Sequence, residues 1–107
     1  MKQDIFERLF EVINDRKMNP SEKSYVASLM PKGTEKINSK IIEEAREVCE
    51  AADEEGTEHL IYEICDLLFH TFVMAVHRGV ALDDIKAELE RRFGIGGLEE
   101  KAGRNME

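Results

Sequence analysis

Apolar residues along the chain recur at helical spacing in four stretches, separated by glycine, proline and charged turns. Phe6, Leu9, Phe10 and Ile13 mark a first helix over 4–15, with Asp4 as its cap and Arg16 and Lys17 near its C-terminal end. Ile37, Ile41, Ala45, Val48 and Ala52 form a stripe spaced 4, 4, 3 and 4. This predicts a helix from a Thr34 cap to about 53 or 54, broken by Gly56. From about 57 to Arg78-Gly79, Leu60, Ile61, Ile64, Leu67, Leu68, Thr71, Phe72 and Ala75 make a broad face. Tyr62, Cys65, Phe69, Val73 and Val76 carry that face almost round the helix. A fourth helix, 81–93, repeats Leu82, Ile85, Leu89 and Phe93, with Asp83 and Asp84 in its first turn and Arg91 and Arg92 in its last. Between the first two helices, 16–33 reads as a long polar loop punctuated by Asn19, Pro20, Pro31 and Gly33, with a short helical piece over Ser24–Met30.

The pattern predicts an all-α bundle of four main helices per chain. A domain over 1–94 holds the core, and 95–107 reads as a flexible C-terminal tail. The connection at Gly56 is short, so the second and third helices should pack antiparallel. A helix apolar on nearly all sides is normally buried. One short hairpin cannot cover the 57–78 helix, so the expectation is a bundle completed by dimerisation, as a homodimer.

The polar strip left on that helix is unusual: Glu63, Asp66, His70 and His77. Glu63 and Asp66 are spaced i,i+3, as are Glu44 and Glu47 on the preceding helix, so each pair shares one helix face. In an antiparallel hairpin, residues 44 and 47 come near the level of 63–66. Four carboxylates brought together, with Glu43 beside them, repel and lose hydration, and a divalent cation with oxygen ligands is the simplest compensation. The plain alternative is a solvated acidic edge. A carboxylate-bridged di-iron bundle is a second alternative, but it wants Glu-x-x-His motifs, and here the third-spaced partners are Glu47 and Asp66. A non-catalytic acidic helical dimer that binds a protein is a third. It accounts for the apolar helix but not for the acids on it.

Composition narrows the partners. With 107 residues, 23 acids, 15 bases and a net charge of −8, the chain fits one domain whose surface disfavours nucleic acid. Its two cysteines, Cys49 and Cys65, match neither a disulfide scaffold nor a zinc site and read as buried thiols. The N-terminus shows no secretory pattern, and no run of 18 uninterrupted apolar residues suggests a membrane span, so a cytoplasmic location is expected.

Read in order, these stretches resemble the phosphoribosyl-ATP pyrophosphatases of histidine biosynthesis, within the MazG-like all-helical pyrophosphohydrolases. The likeness runs through Ser24-Tyr25-Val26-Ala27-Ser28-Leu29, Lys32-Gly33, Glu43-Glu44-Ala45-Arg46-Glu47-Val48 and Tyr62-Glu63-Ile64-Cys65-Asp66-Leu67-Leu68-Phe69-His70. It continues in Leu82-Asp83-Asp84-Ile85, Glu88-Leu89, Arg91-Arg92-Phe93-Gly94 and Glu99-Glu100-Lys101-Ala102. The resemblance implies that Glu44, Glu47, Glu63 and Asp66 bind metal and are catalytic, with Glu43 assisting. It implies Mg²⁺, with Mn²⁺ able to substitute, and a dimer whose site lies near helices of both subunits. The implied reaction is hydrolysis of the α–β phosphoanhydride of phosphoribosyl-ATP to phosphoribosyl-AMP and pyrophosphate. Lys32, Lys36, Lys40, Tyr25, His70, Arg91 and Arg92 are the candidates for substrate contacts. MazG-like housekeeping cleavage of ordinary nucleoside triphosphates is the alternative activity. Two positions depart from the family pattern: Ile42 stands where the family has glycine, and Gly96-Gly97 where it has Ser-Gly.

Overall fold

Among the residues described by the computed structural model, 3–93 and 103, every regular element is helical. The expected tail over 95–107, with Gly96-Gly97, falls outside the described residues apart from Gly103. The helices are α1 (Ile5–Met18), α2 (Tyr25–Leu29), α3 (Gly33–Ala52), α4 (Glu58–His77) and α5 (Leu82–Phe93). A 3₁₀ turn, Met30–Lys32, joins α2 to α3. The four main helices are α1, α3, α4 and α5, and α2 is the short piece expected over Ser24–Met30.

Local chemistry accounts for most boundaries. Asp4 caps α1 by accepting from the Glu7 amide at 2.8 Å, and Ser24 caps α2 by accepting from the Ala27 amide at 3.0 Å. The α1 helix extends to Met18, so Arg16 and Lys17 are helical rather than part of a loop. Lys17 reaches across to the Val76 carbonyl at 3.3 Å, placing a cation at the C-terminal end of α4. Thr34 is not the cap of α3. The helix starts one residue earlier at Gly33, whose φ of 81° turns the chain out of the 3₁₀ segment. The Thr34 hydroxyl instead meets His77 Nε2 at 3.2 Å, tying the start of α3 to the end of α4. Just past that end of α4, Gly79 takes φ 77°, and the Val80 amide donates back to the Ala75 carbonyl at 2.8 Å. That 6→1 bond is the helix-ending arrangement for which glycine is suited.

Among the described residues the α3–α4 antiparallel pair is the most extensive contact, and α1 packs across α4. The core lies at one end of this hairpin. Ile37 of α3 and Phe72, Val73 and Val76 of α4 are buried with Phe10 and Ile13 of α1 and Val26 and Leu29 of α2. Phe72 meets the Phe10 ring at 4.7 Å and the Phe6 ring edge-on at 5.8 Å.

The opposite end is organised differently. Ile61, Tyr62, Ile64 and Ile42 are exposed, so the N-terminal half of α4 does not have the cover its sequence calls for. Cys49 and Cys65 are exposed as well, against the expectation of buried thiols. Both sit on faces of α3 and α4 left open among the described residues. By length and composition α4 is also apolar enough to cross a membrane. Its place as the central helix of the bundle, with two acids inside it, accounts for that composition.

Candidate metal centre

On α4, the strip expected to seek water or an ion turns inward. Glu63 and His70 are buried, and Asp66 and His77 are half-buried. From α3, Glu44 is buried against it. Carboxyl oxygens of Glu44, Glu63 and Asp66 all lie within 4.8 Å of one another. Glu47, one turn along α3 from Glu44, adds its carboxyl against Glu63 and Glu44. The hairpin thus brings together three of the four acids of the two i,i+3 pairs, with Glu47 acting on them electrostatically. Glu43 faces a different neighbour, the Lys40 ammonium at 3.4 Å.

The electrostatics of this group are strained in a specific way. Burial, then the neighbouring carboxyls of Glu63, Asp66 and Glu47, push the Glu44 carboxyl up to about 7. Glu47 is also raised, chiefly by its contact with Glu63. Glu44 and Glu63 are only 6% and 5% exposed, and each has one oxygen, Oε2, buried without a hydrogen-bond partner. Buried carboxylate oxygens are ordinarily satisfied. Hard oxygen donors on facing helices, crowded to the point of rejecting their own charge, suit a divalent cation. That is the donor set Mg²⁺ or Mn²⁺ takes.

Two residues expected to contact substrate flank this centre. His70 donates from Nδ1 to the Asp66 carbonyl at 2.9 Å, so in the neutral ring Nε2 accepts from the Tyr25 hydroxyl, also at 2.9 Å. Tyr25 stacks on Phe69 at 6.2 Å. The hydroxyl of α2 is thereby fixed beside the hairpin. Burial raises the Tyr25 hydroxyl, and among the groups acting on it are Lys40, Glu44, Glu43 and Asp66. Burial opposes the charge on Lys40, but the oxygens of Tyr25, Glu43 and Glu44 outweigh it and raise its pKa. Among the described residues, Lys40 is a lysine set next to the acids.

The remaining cations lie elsewhere. Lys32 and Lys36 line a shallow hollow of about 310 Å³ with Glu35 and Ser39 at the start of α3. Arg91 and Arg92 both grip Glu88 at 2.8 Å on α5, outside the α3–α4 hairpin. Those two arginines, Arg91 first, hold the Glu88 carboxyl down to about 2. One residue of the centre was not expected. His59, in the first turn of α4, sets Nε2 at 3.2 Å from Glu63 Oε1 and Nδ1 at 2.8 Å from Glu54 Oε2. Its i,i+4 spacing from Glu63 was the available signal.

With this geometry in view, comparison with known proteins is decisive. A family model described as phosphoribosyl-ATP pyrophosphohydrolase matches residues 6–93. The chain belongs to that family. Its all-α bundle and hydrolase chemistry follow from membership. The chain is 48% identical over 105 residues to the phosphoribosyl-ATP pyrophosphatase of Geotalea daltonii, covering 98% of this chain and 99% of that protein. The protein of that name from Geobacter sulfurreducens is 48% identical over 104 residues, covering 97% and 96% of the two chains. One from Neisseria meningitidis is 45% identical over 105 residues, covering 97% of each. The family model spans all five helices, so the cluster lies within the matched region.

Proposed function

We propose that the protein hydrolyses the α–β phosphoanhydride of phosphoribosyl-ATP, giving phosphoribosyl-AMP and pyrophosphate, the second step of histidine biosynthesis. The observation that carries this reading is the carboxyl cluster of Glu44, Glu63 and Asp66 with two buried oxygens lacking partners, in a chain of this family. Glu44, Glu47, Glu63 and Asp66 would hold a divalent cation, Mg²⁺ or Mn²⁺. When bound, that cation neutralises phosphate oxygens and makes water more acidic.

The chain's own side chains position and screen. Water adds at one phosphorus of the α–β anhydride, the bridging P–O bond breaks, and the protons of water end on the two products. Such transfer depends on positioning and electrostatics more than on covalent help from protein. Lys40, beside Glu43, Glu44 and Tyr25, is the cation available for negative charge developing on the anhydride. Tyr25, fixed by His70, presents a ring and a hydroxyl to the substrate from α2. Lys32 and Lys36 offer a separate basic patch suited to the ribose phosphate that distinguishes phosphoribosyl-ATP from ATP.

We further propose that the working form is a cytoplasmic homodimer. Ile61, Tyr62 and Ile42 are 58%, 64% and 67% exposed, on the half of the hairpin that carries the acids. A second copy would cover them and bring further groups toward the centre.

The test is an Mg²⁺-dependent assay comparing phosphoribosyl-ATP with ATP, dATP, dCTP and dUTP by kcat/KM. Strong preference for phosphoribosyl-ATP is expected. Equal or faster cleavage of a plain nucleotide would replace this reading with the housekeeping one.

A further inference from the structure

His77 ends the polar strip of α4, and the reaction proposed for this chain does not use it. Glu63, Asp66 and His70 stand earlier on the same strip. At 1.5 Å of rise per residue, His77 lies about 17 Å along the helix axis from Asp66. There its Nε2 lies 3.2 Å from the Thr34 hydroxyl at the start of α3. A hydroxyl both donates and accepts, so the contact holds whether or not Nε2 carries a proton.

The contact falls on a turn that lacks a cap of its own. No side chain caps α3, and Gly33 enters the helix at φ 81°. Among the described residues, the Thr34–His77 bond is the side-chain hydrogen bond that joins residues 30–36 to another helix. Lys32 stands just before this turn and Lys36 just after it. Both line the hollow of about 310 Å³ that also holds Glu35 and Ser39. Neither ammonium is paired among the described residues, whereas Lys40 meets Glu43, and Lys86 meets Asp4 and Glu7. Lys36 precedes Glu44 by eight residues, about 12 Å along the axis of α3. Lys36, Lys40, Glu43 and Glu47 share one flank of that helix, at spacings of 4, 3 and 4. The two lysines thus stand off from the acids along the helix, as the ribose phosphate stands off from the anhydride across the nucleoside.

We infer that His77 is a positioning residue for recognition of that ribose phosphate: through the Thr34 hydroxyl it fixes the turn that carries Lys32 and Lys36. This inference rests on the phosphoribosyl-ATP reading and deepens it. The acids hold the end of the substrate that ATP shares. The His77 end of the strip sets the group that ATP lacks.

The experiment is steady-state hydrolysis with Mg²⁺ by the full chain, as wild type, His77→Ala, Thr34→Val and the double variant. Phosphoribosyl-ATP is the substrate and ATP the competitor. In each single variant KM for phosphoribosyl-ATP should rise about fivefold with kcat kept, the scale of one hydrogen bond and the mark of binding lost equally in ground and transition states. The Ki of ATP should not move. The double variant should show the same rise as either single and not their product, because both singles remove one contact. Thr34→Val keeps the shape of the side chain, so it decides the matter if circular dichroism shows that His77→Ala does not fold. An unchanged KM in Thr34→Val, an equal loss for ATP, or a fall in kcat instead overturns the inference and leaves the phosphoribosyl-ATP reading standing. A wild type that binds phosphoribosyl-ATP no more tightly than ATP overturns that reading and the inference with it.

Discussion

The two halves of the α3–α4 hairpin obey opposite burial rules. At the core end, Ile37, Phe72, Val73 and Val76 are buried against α1 and α2. At the connection end, Glu44 and Glu63 are buried to the same degree, while Ile42, Ile61 and Tyr62 stand in the open. Burying a carboxylate without partners costs several kcal/mol unless it is neutralised, and leaving large apolar side chains exposed forfeits about 25 cal/mol per Å². Both costs fall in one half of one hairpin. The core end is built to fold. On the function proposed above, the connection end is completed on its inner face by a cation and on its outer face by a second copy.

The sharpest way to break this comparison is to neutralise the buried acids. Glu44→Gln and Asp66→Asn should each lower kcat on phosphoribosyl-ATP by at least about 10²–10³-fold, the scale of losing a group that organises charge in a transition state. Stability without added cation should hold or rise, because removing one charge from a like-charged cluster relieves repulsion. The increase in Tm on adding Mg²⁺ should shrink. Pyrophosphate release and paired melting curves check both. Wild-type turnover in either variant would remove that residue from the essential set.

The core end should respond in the reverse sense. Ile37 is fully buried, and Ile37→Ala should cost about 2–5 kcal/mol in denaturant unfolding, through lost burial and the cavity left behind. The Mg²⁺-induced rise in Tm should survive in that variant, since Ile37 lies two turns from Glu44 along α3. A loss of cation response as large as that of Glu44→Gln would mean the two halves are not separable.

How far this division could be read in the sequence varies by element. The 3.6-residue periodicity of Ile37, Ile41, Ala45 and Val48 and the signals at Asp4, Gly56 and Gly79 located the helices, because short-range chemistry decides them. The pairing of Glu44/Glu47 with Glu63/Asp66 was legible because a short connection leaves an antiparallel hairpin little freedom. Thr34 misled, since Gly33 could take the positive φ that begins α3 and the hydroxyl went to His77 instead. Cys65 misled for a tertiary reason. An apolar sequence position says that cover is needed, not whether this chain supplies it. His59 escaped because its partner Glu54 lies in a connection whose path no periodicity encodes.

The outer face of the connection end gives a smaller but direct test. Ile61 and Tyr62 are adjacent on α4 and largely exposed. Sedimentation of the wild type at micromolar concentration should give about 25 kDa, twice the 12.3 kDa chain, as a symmetric dimer requires. Ile61→Glu should move the population toward monomer, with a loss of roughly 2 kcal/mol or more in association if this residue sits at the centre of the contact. A wild-type monomer would overturn the homodimer.

The smallest expected effect is a pH dependence confined to the cation-free protein. Glu44 has its folded pKa raised from 4.5 to about 7, and Glu47 is raised as well. Below about 4.5, the carboxyls are protonated in folded and unfolded chains alike and the acid cluster carries no penalty. As pH rises toward 7, the unfolded chain releases these protons first and the folded chain retains them. The folded state then binds more protons than the unfolded state, so stability falls with rising pH and levels off once Glu44 has ionised. The share of Glu44 should be on the order of 1–3 kcal/mol. Asp4 and Glu88 are shifted downward, so their opposite contributions act at lower pH. His59 is shifted upward from 6.5 by Glu54, so it adds to the loss mainly above about 6. The range from about pH 5 to 6 therefore reports mainly on the carboxyls. Urea unfolding across that range, without cation, should show a declining stability that Glu44→Gln flattens. Saturating Mg²⁺ should abolish or reverse the slope, because a cation held by these acids selects their ionised form. A flat cation-free profile in the wild type would mean that the buried carboxyls are already compensated from within the fold, and the contrast between the two halves of the hairpin would lose its energetic basis.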